Sequence, residues 1–314
     1  MSAMSVARCK ALCVVVSQLA LGGPVRTMAT KYSTEERGAP YSADYRLYFR
    51  DELGLISPMH DIPLWADEEA GVANMVVEIP RWTNAKMEIS LSEPLNPVKQ
   101  DVKKGAPRFV ANVFPHRGYI WNYGALPQTW EDPAHVDELT QCRGDNDPID
   151  VLEVGDRVAR RGEVLQVKIF GALAFIDDGE TDWKLLAVDA ASPLAARLGS
   201  PEDLERERPG LLRASREWLR LYKVPGGAAP APAPGPALSR AAALSVVRQT
   251  HAAWRSLLSA PASPLARACT VCAEPGAGRL SRERAAELLQ AAPARAEPLP
   301  VPEEVDRWHF LADL

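Results

Sequence analysis

The chain has 314 residues, of which 46% are apolar and 25% charged, and its 36 basic and 41 acidic side chains give a formal net charge of −5. That balance excludes a general nucleic-acid binder, which needs a clustered excess of lysine and arginine, and no apolar run reaches the roughly 18–20 residues required to span a bilayer. Five scattered cysteines are too few for a disulfide scaffold, and His60, His116, His135, His251 and His309 lie too far apart for a histidine-based zinc site.

Residues 1–34 differ from the rest. They carry Arg8, Lys10, Arg26 and Lys31 with no acidic residue before Glu35, and an apolar stretch runs from Ala11 to about Leu21. This fits a mitochondrial transit peptide, a secretory signal, or an extension outside the fold with Met28 as working start. Residues 35–225 have the composition of a packed domain. Strands are expected at 75–79 (MVVEI), 86–90 (KMEIS) and, shorter, 108–110 (RFV). A long strand over 163–176 should bulge or bend at Gly171, turn through 178–181 and return as a strand over 183–188. Strands at such short intervals point to a barrel or sandwich rather than a βαβ sheet. Four helices follow: one capped by Ser200 with Pro201 at its first position, one over 211–221, one over 239–258 and one from Ser281 to about residue 289. Between the second and third lies an Ala/Pro linker, residues 226–236, expected to be mobile and unable to pack. Residues 237–314 are the C-terminal helical part of the same domain, expected to be looser.

The densest chemical feature is GDNDPID, residues 144–150, with Asp145, Asp147 and Asp150 close together. Neighbouring carboxylates repel, and a hard divalent cation such as Mg²⁺, Mn²⁺ or Ca²⁺ removes that cost. An EF-hand is excluded, because Asp150 stands where the turn glycine is required. A second acidic group, Asp177, Asp178 and Asp182 with Lys184, sits at the expected hairpin. A third, Glu78 with Lys86 and Glu88, lies on another strand pair, and the two-residue spacing of Lys86 and Glu88 puts them on one face. Arg108, Tyr119, Tyr123, Tyr222 and Lys223 add donors. Carboxylates for several metals beside such donors suit a small phosphate substrate. Neither a Walker loop nor a Gly-x-Ser-x-Gly elbow is present. The lone pair Cys269 and Cys272 lacks the second pair and the histidines that a metal site needs.

These segments together resemble the soluble family I inorganic pyrophosphatases in their animal and fungal form. The resemblance is carried in order by MVVEIPRWTNAKMEIS (75–90), NPVKQDVKKG (96–105), GYIWNYGALPQTWED (118–132), GDNDPIDVLE (144–153), DGETDWK (178–184) and EWLRLYKVP (217–225). It implies an α+β, mainly β fold: a compact, twisted five-stranded barrel, OB-like, with flanking helices, and a homodimer. The implied activity is hydrolysis of pyrophosphate to two orthophosphates with several Mg²⁺ ions. By motif, Asp145, Asp150 and Asp182 correspond to ligands of the tightest metals, and Glu88, Asp177 and Asp182 to ligands of those arriving with substrate. Asp147 corresponds to the base orienting the attacking water. Lys86, Arg108, Tyr123, Lys184, Tyr222 and Lys223 correspond to phosphate contacts, with Glu78 and Tyr119 lining the site. The chain departs from the family pattern after Pro225, where the Ala/Pro linker replaces a more polar segment and leaves open how Tyr222 and Lys223 are supported. A non-catalytic cation- or phosphate-binding protein of the same fold is the competing reading. The short segment 60–74 and the ending VPEEVDRW resemble the cytosolic animal enzymes, while the acid-free start points instead to the mitochondrial matrix.

Overall fold

The computed structural model describes residues 32–259 and 279–311. The N-terminal readings up to residue 31, and those on Cys269 and Cys272, fall outside the described residues. In chain order the strands are β1 (Ser33–Arg37), β2 (Arg46–Asp51), β3 (Gly54–Ile56), β4 (Trp65–Asp67), β5 (Val72–Ile79), β6 (Met87–Ile89) and β7 (Val98–Gln100). The short elements β8 (Val102–Lys103), β9 (Ala106–Pro107) and β10 (Asn112–Val113) lead to β11 (Asn122–Ala125), β12 (Arg143–Gly144) and β13 (Asp150–Glu153). Two long strands follow, β14 (Val164–Asp177) and β15 (Glu180–Asp189). Helices α1 (Pro201–Glu207) and α2 (Leu211–Leu221), β16 (Leu238–Ser239), helices α3 (Arg240–Ser259) and α4 (Arg282–Ala291), and β17 (Trp308–His309) complete a mainly β architecture.

One sheet joins β1, β2, β7 and β6, with β3 added on β2. A larger one runs β12–β15–β13–β11–β5–β14–β16, with β4 on β5. Because β14 pairs with both β5 and β15, the path β5–β11–β13–β15–β14 returns to its start. Side chains alternate along these strands, and both faces find a core. Val76, Phe170, Phe175, Leu186 and Val188 join Tyr45 and Phe49 of β2 and its approach, with Trp218 and Leu219 of α2. Their neighbours Met75, Val77, Ile169, Leu185 and Ala187 face the other way, against Ala243 and Val247 of α3.

The expected bend in β14 is present: the register with β15 shifts between Ile169 and Gly171. A Cβ at Gly171 would lie 2.8 Å from Pro201 Cγ and 3.0 Å from the Leu238 carbonyl oxygen, so the glycine lets α1 and β16 close onto the bend. The turn between β14 and β15 is tighter than the sequence suggested. Asp178 (φ 51°) and Gly179 (φ 90°) form a two-residue Asp-Gly hairpin turn, and β15 already begins at Glu180.

Three expectations are corrected. Residues 108–110 form no strand: they lie antiparallel to 84–86, with Lys86 N donating to Arg108 O (3.0 Å) and Val110 N to Asn84 O (2.7 Å), but the pairing stops at an isolated bridge between Phe109 and Ala85. The linker is not devoid of anchors: Ala231 N donates to Arg220 O (2.9 Å), and the Arg216 guanidinium donates twice to Pro234 O (2.9 and 2.7 Å). Main-chain groups supply what its side chains lack. Nor is α3 loosely attached, since Ala243, Leu244, Val246, Val247, Thr250, Trp254 and Leu257 are buried.

Candidate active site

The centre of the site is built by register. Asp150 opens β13 and lies opposite Lys184 in the parallel pairing with β15, and Asp182, two residues earlier, shares the face of Lys184. The Lys184 ammonium, only 4% exposed, bridges Asp150 and Asp182 and donates to Tyr123 Oη at 3.0 Å. The Tyr123 hydroxyl in turn donates to Asp150. Burial opposes the lysine charge, but Asp150 and Asp182 more than offset it and hold the ammonium well above its ordinary value.

On one side, Glu78 of β5, Lys86 just before β6 and Glu88 of β6 line a narrow cleft shared with Tyr119, Tyr123 and Asp147. Lys86 Nζ pairs with Glu88 at 2.7 Å, and Glu78 Oε1 accepts from Ile89 N at 2.6 Å. Burial, then the nearby Asp150 charge, raises the Glu78 carboxyl well above the carboxylate range. Burial raises the Tyr119 hydroxyl to about 12, and its ring meets that of Tyr123 edge-on at 5.1 Å. Arg108 is held by Asp101 at 3.0 Å and interacts electrostatically with Tyr119 and Tyr222.

On the other side, Asp177 at the end of β14 accepts 2.7 Å bonds from Lys223 and a 2.9 Å bond from the Tyr222 hydroxyl. Lys223 also reaches Asp178. Support for Tyr222 and Lys223, left open by the sequence, comes from α2. Trp218 stacks on the Tyr222 ring (4.7 Å, 5°) and anchors its own indole N–H to Gly118 O at 2.7 Å.

The remaining carboxylates meet beneath the 144–149 loop. Asp145 Oδ1 accepts from Asp147 N (2.9 Å), and Asn146 between them takes a left-handed φ of 77°. One carboxylate oxygen each from Glu131, Asp145 and Asp182 lie within 4.8 Å of one another. Burial, then the charges of Asp182 and Asp147, raises Asp145 to about 9; burial, with the Asp150 charge and against the Lys184 ammonium, raises Asp182 to about 7. Asp147 reaches the mouth of the cleft; partial loss of water and the charges of Asp150 and Glu88 raise it to about 6. Glu131 was not singled out from sequence. Its Oε1 accepts from Trp183 N at 3.0 Å, whereas Oε2 is buried with no hydrogen-bond partner among the described residues. The only sequence signal was its place in the TWED segment, where nothing separates it from Asp132; burial does.

Glu78, Lys86, Glu88, Tyr119, Tyr123, Asp147 and Asp150 line the narrow cleft; Lys184 and Asp182 adjoin it through Asp150, Asp145 meets Asp182, and Asp177, Tyr222 and Lys223 form a separate bonded group, with Arg108 held by Asp101. Such crowded carboxylates, interleaved with lysine, arginine and tyrosine donors on one closed run of strands, define an enzyme class that handles a phosphate-type anion with divalent cations. The chain belongs to the inorganic pyrophosphatase family: the family model for inorganic pyrophosphatase matches residues 75–255. It is 50% identical over 284 residues to the inorganic pyrophosphatase of Drosophila melanogaster, covering 89% of this chain and 84% of that one. It is 47% identical over 287 residues to that of Homo sapiens, covering 88% and 97%. The solved inorganic pyrophosphatase of Schistosoma japonicum matches with a TM-score of 0.84 at 42% identity, covering 89% of this chain and all of the other. Among the described residues, no helix is long and apolar enough to cross a membrane.

Proposed function

We propose that the chain hydrolyses inorganic pyrophosphate to two orthophosphates with Mg²⁺ as its cation. The observation that carries the cation is the meeting of Glu131, Asp145 and Asp182, in which a buried carboxylate oxygen of Glu131 has no hydrogen-bond partner among the described residues. An all-oxygen, multiply charged donor set of this kind fits a hard divalent ion. Bound there, Mg²⁺ neutralises the carboxylates, polarises phosphoryl oxygens and acidifies coordinated water.

The chain's own groups do the rest. Lys86, Arg108, Lys184 and Lys223 with the Tyr123 and Tyr222 hydroxyls donate to phosphate oxygens. Each of the four cations is held by a carboxylate in the structure, so it is preorganised and ready to exchange that partner for substrate. Glu78 and Tyr119 wall the cleft. Asp147, at its mouth, accepts the proton of the attacking water. The water oxygen bonds to one phosphorus as the bridging P–O bond breaks, and the leaving phosphate keeps the electron pair, stabilised by the same donors. Asp150 and Asp182 complete the cation ligands, with Glu88 and Asp177 serving cations that enter with substrate.

The closed path of strand pairings supports a five-stranded barrel as the frame. An exposed aromatic patch, in which Phe114 touches both Trp308 (6.0 Å) and Phe310 (5.1 Å), supports a homodimer, and the cytosol is the compartment favoured by the resemblance. Colorimetric phosphate release from pyrophosphate tests the reading. Release is expected with Mg²⁺ and its loss with chelator; cation binding without release would favour the non-catalytic alternative.

A further inference from the structure

The segment 128–131 links α3 to the loop that bears Asp145 and Asp147. Gln128 has a left-handed φ of 55°, a conformation held by its surroundings rather than by its own preference. Its N–H donates to Met59 O (2.7 Å), its side-chain amide donates to His60 O (3.0 Å), and its side-chain oxygen accepts from Leu64 N (3.1 Å). Its carbonyl faces the other way, 2.7 Å from His251 Nδ1 on α3. A carbonyl only accepts, so this contact places the imidazole proton on Nδ1. The His251 ring stacks on Trp254 (5.4 Å, 19°), whose indole N–H donates to His60 Nδ1 at 2.9 Å.

The next residues pass this anchorage to the acidic loop. Trp130 N donates to Thr250 O on α3 (3.0 Å), and Trp130 Nε1 donates to Asn146 Oδ1 (3.1 Å). Thr129 Oγ1 accepts from Ile149 N (3.0 Å). Glu131 N donates to Asp147 O and Glu131 O accepts from Asn146 N, both at 2.9 Å. The strap therefore has two legs: one fixed to α3 by His251 and the Thr250 carbonyl, the other fixed residue by residue to the loop.

We infer that His251 is a positioning residue for the cation centre, acting through the strap 128–131 to set Glu131 against Asp145 and Asp182. This rests on the reading of those carboxylates as cation ligands. His251 touches neither substrate nor cation; it fixes one carbonyl three residues upstream of Glu131. Losing that bond removes one of the four hydrogen bonds that hold Gln128 in its left-handed conformation and loosens the oxygen spacing that a small cation demands.

The test is Mn²⁺ binding to the metal-free full chain, with free Mn²⁺ followed by electron paramagnetic resonance. His251→Ala should weaken binding by roughly three- to tenfold, the worth of one net hydrogen bond, and His251→Asn, whose amide N–H can replace Nδ1–H, should restore most of it. Trp130→Phe, which removes the bond to Asn146, should weaken binding similarly. In the assay, His251→Ala should raise the Mg²⁺ concentration for half-activation while leaving kcat at saturating Mg²⁺ within about twofold. Unaltered Mn²⁺ affinity in His251→Ala, or an Asn variant as weak as the Ala variant, would overturn the positioning role. If His251→Ala does not fold, unaltered affinity in Trp130→Phe overturns it. A wild-type chain that retains no Mn²⁺ would overturn the cation reading itself, and this inference with it.

Discussion

Glu131 carries a carboxylate oxygen that is buried and, among the described residues, receives no hydrogen bond, beside Asp145 and Asp182. In the metal-free chain this crowding has a definite pH signature. Asp145 is raised from 3.8 to about 9 and Asp182 to about 7, so between those values and the ordinary carboxylate range the folded chain holds protons that the unfolded chain has lost. Stability without metal must then fall as pH rises from about 4 to about 9, and added Mg²⁺ should flatten that fall. Melting curves in chelator and in Mg²⁺ across this range check the sign; a metal-free midpoint that rises with pH contradicts it. Glu131→Gln should make the metal-free chain more stable near pH 8 while weakening Mg²⁺ stabilisation, because the amide removes repulsion and a ligand together. At the proposed base, Asp147→Asn should lower turnover by about 10²- to 10⁴-fold and flatten the acid limb of the pH–rate profile near 6, since an amide accepts no proton. An unchanged acid limb would remove Asp147 from that role.

Among the strands, β11 shows how closely the frame is set. A Cβ on Gly124 would lie 1.9 Å from Val76 O of β5, at the point where the β11–β5 register shifts beside Tyr123. Gly124→Ala must push the strands apart, costing about 1–3 kcal/mol or more, and should displace the Tyr123 hydroxyl from Asp150. Urea denaturation gives the first effect and KM for pyrophosphate the second; an unshifted midpoint would contradict the close approach. The same scale shows what the sequence made legible. The alternating, β-branched stretches and the interrupting Gly171 revealed β5, β6, β14 and β15, and charged side chains at two-residue spacing revealed the cleft. Glu131 was hidden because its distinction is burial by Trp183 and the 144–149 loop, which is long-range. The anchoring of residues 226–236 was hidden because it uses backbone atoms, while composition reports only side chains. Residues 108–110 misled because so short a run does not announce that its pairing with residues 84–86 will stop at a single bridge.

At the scale of the whole molecule, two surfaces can be tested. Phe114, Trp308 and Phe310 are 57%, 43% and 75% exposed, a contiguous aromatic area that a water-facing monomer gains nothing by displaying. Phe310→Glu should shift light-scattering mass towards monomer with the cleft intact; a wild-type monomer at all concentrations would dismiss the patch as an interface. Arg216→Ala should release the 226–236 stretch from α2 and speed proteolysis there, whereas the wild-type stretch should resist; equal cleavage of both would show that the guanidinium holds nothing. That tether has a consequence for how the stretch can vary. It is gripped by the carbonyl of Pro234 and the amide of Ala231, groups that nearly every amino acid supplies. Its letters are therefore nearly free to drift among small residues, with position 231 closed to proline because it must donate. Its length is not free: one residue inserted or removed between 220 and 231 would put both grips out of step. The stretch thus acts as a measured spacer, constrained in count rather than in spelling.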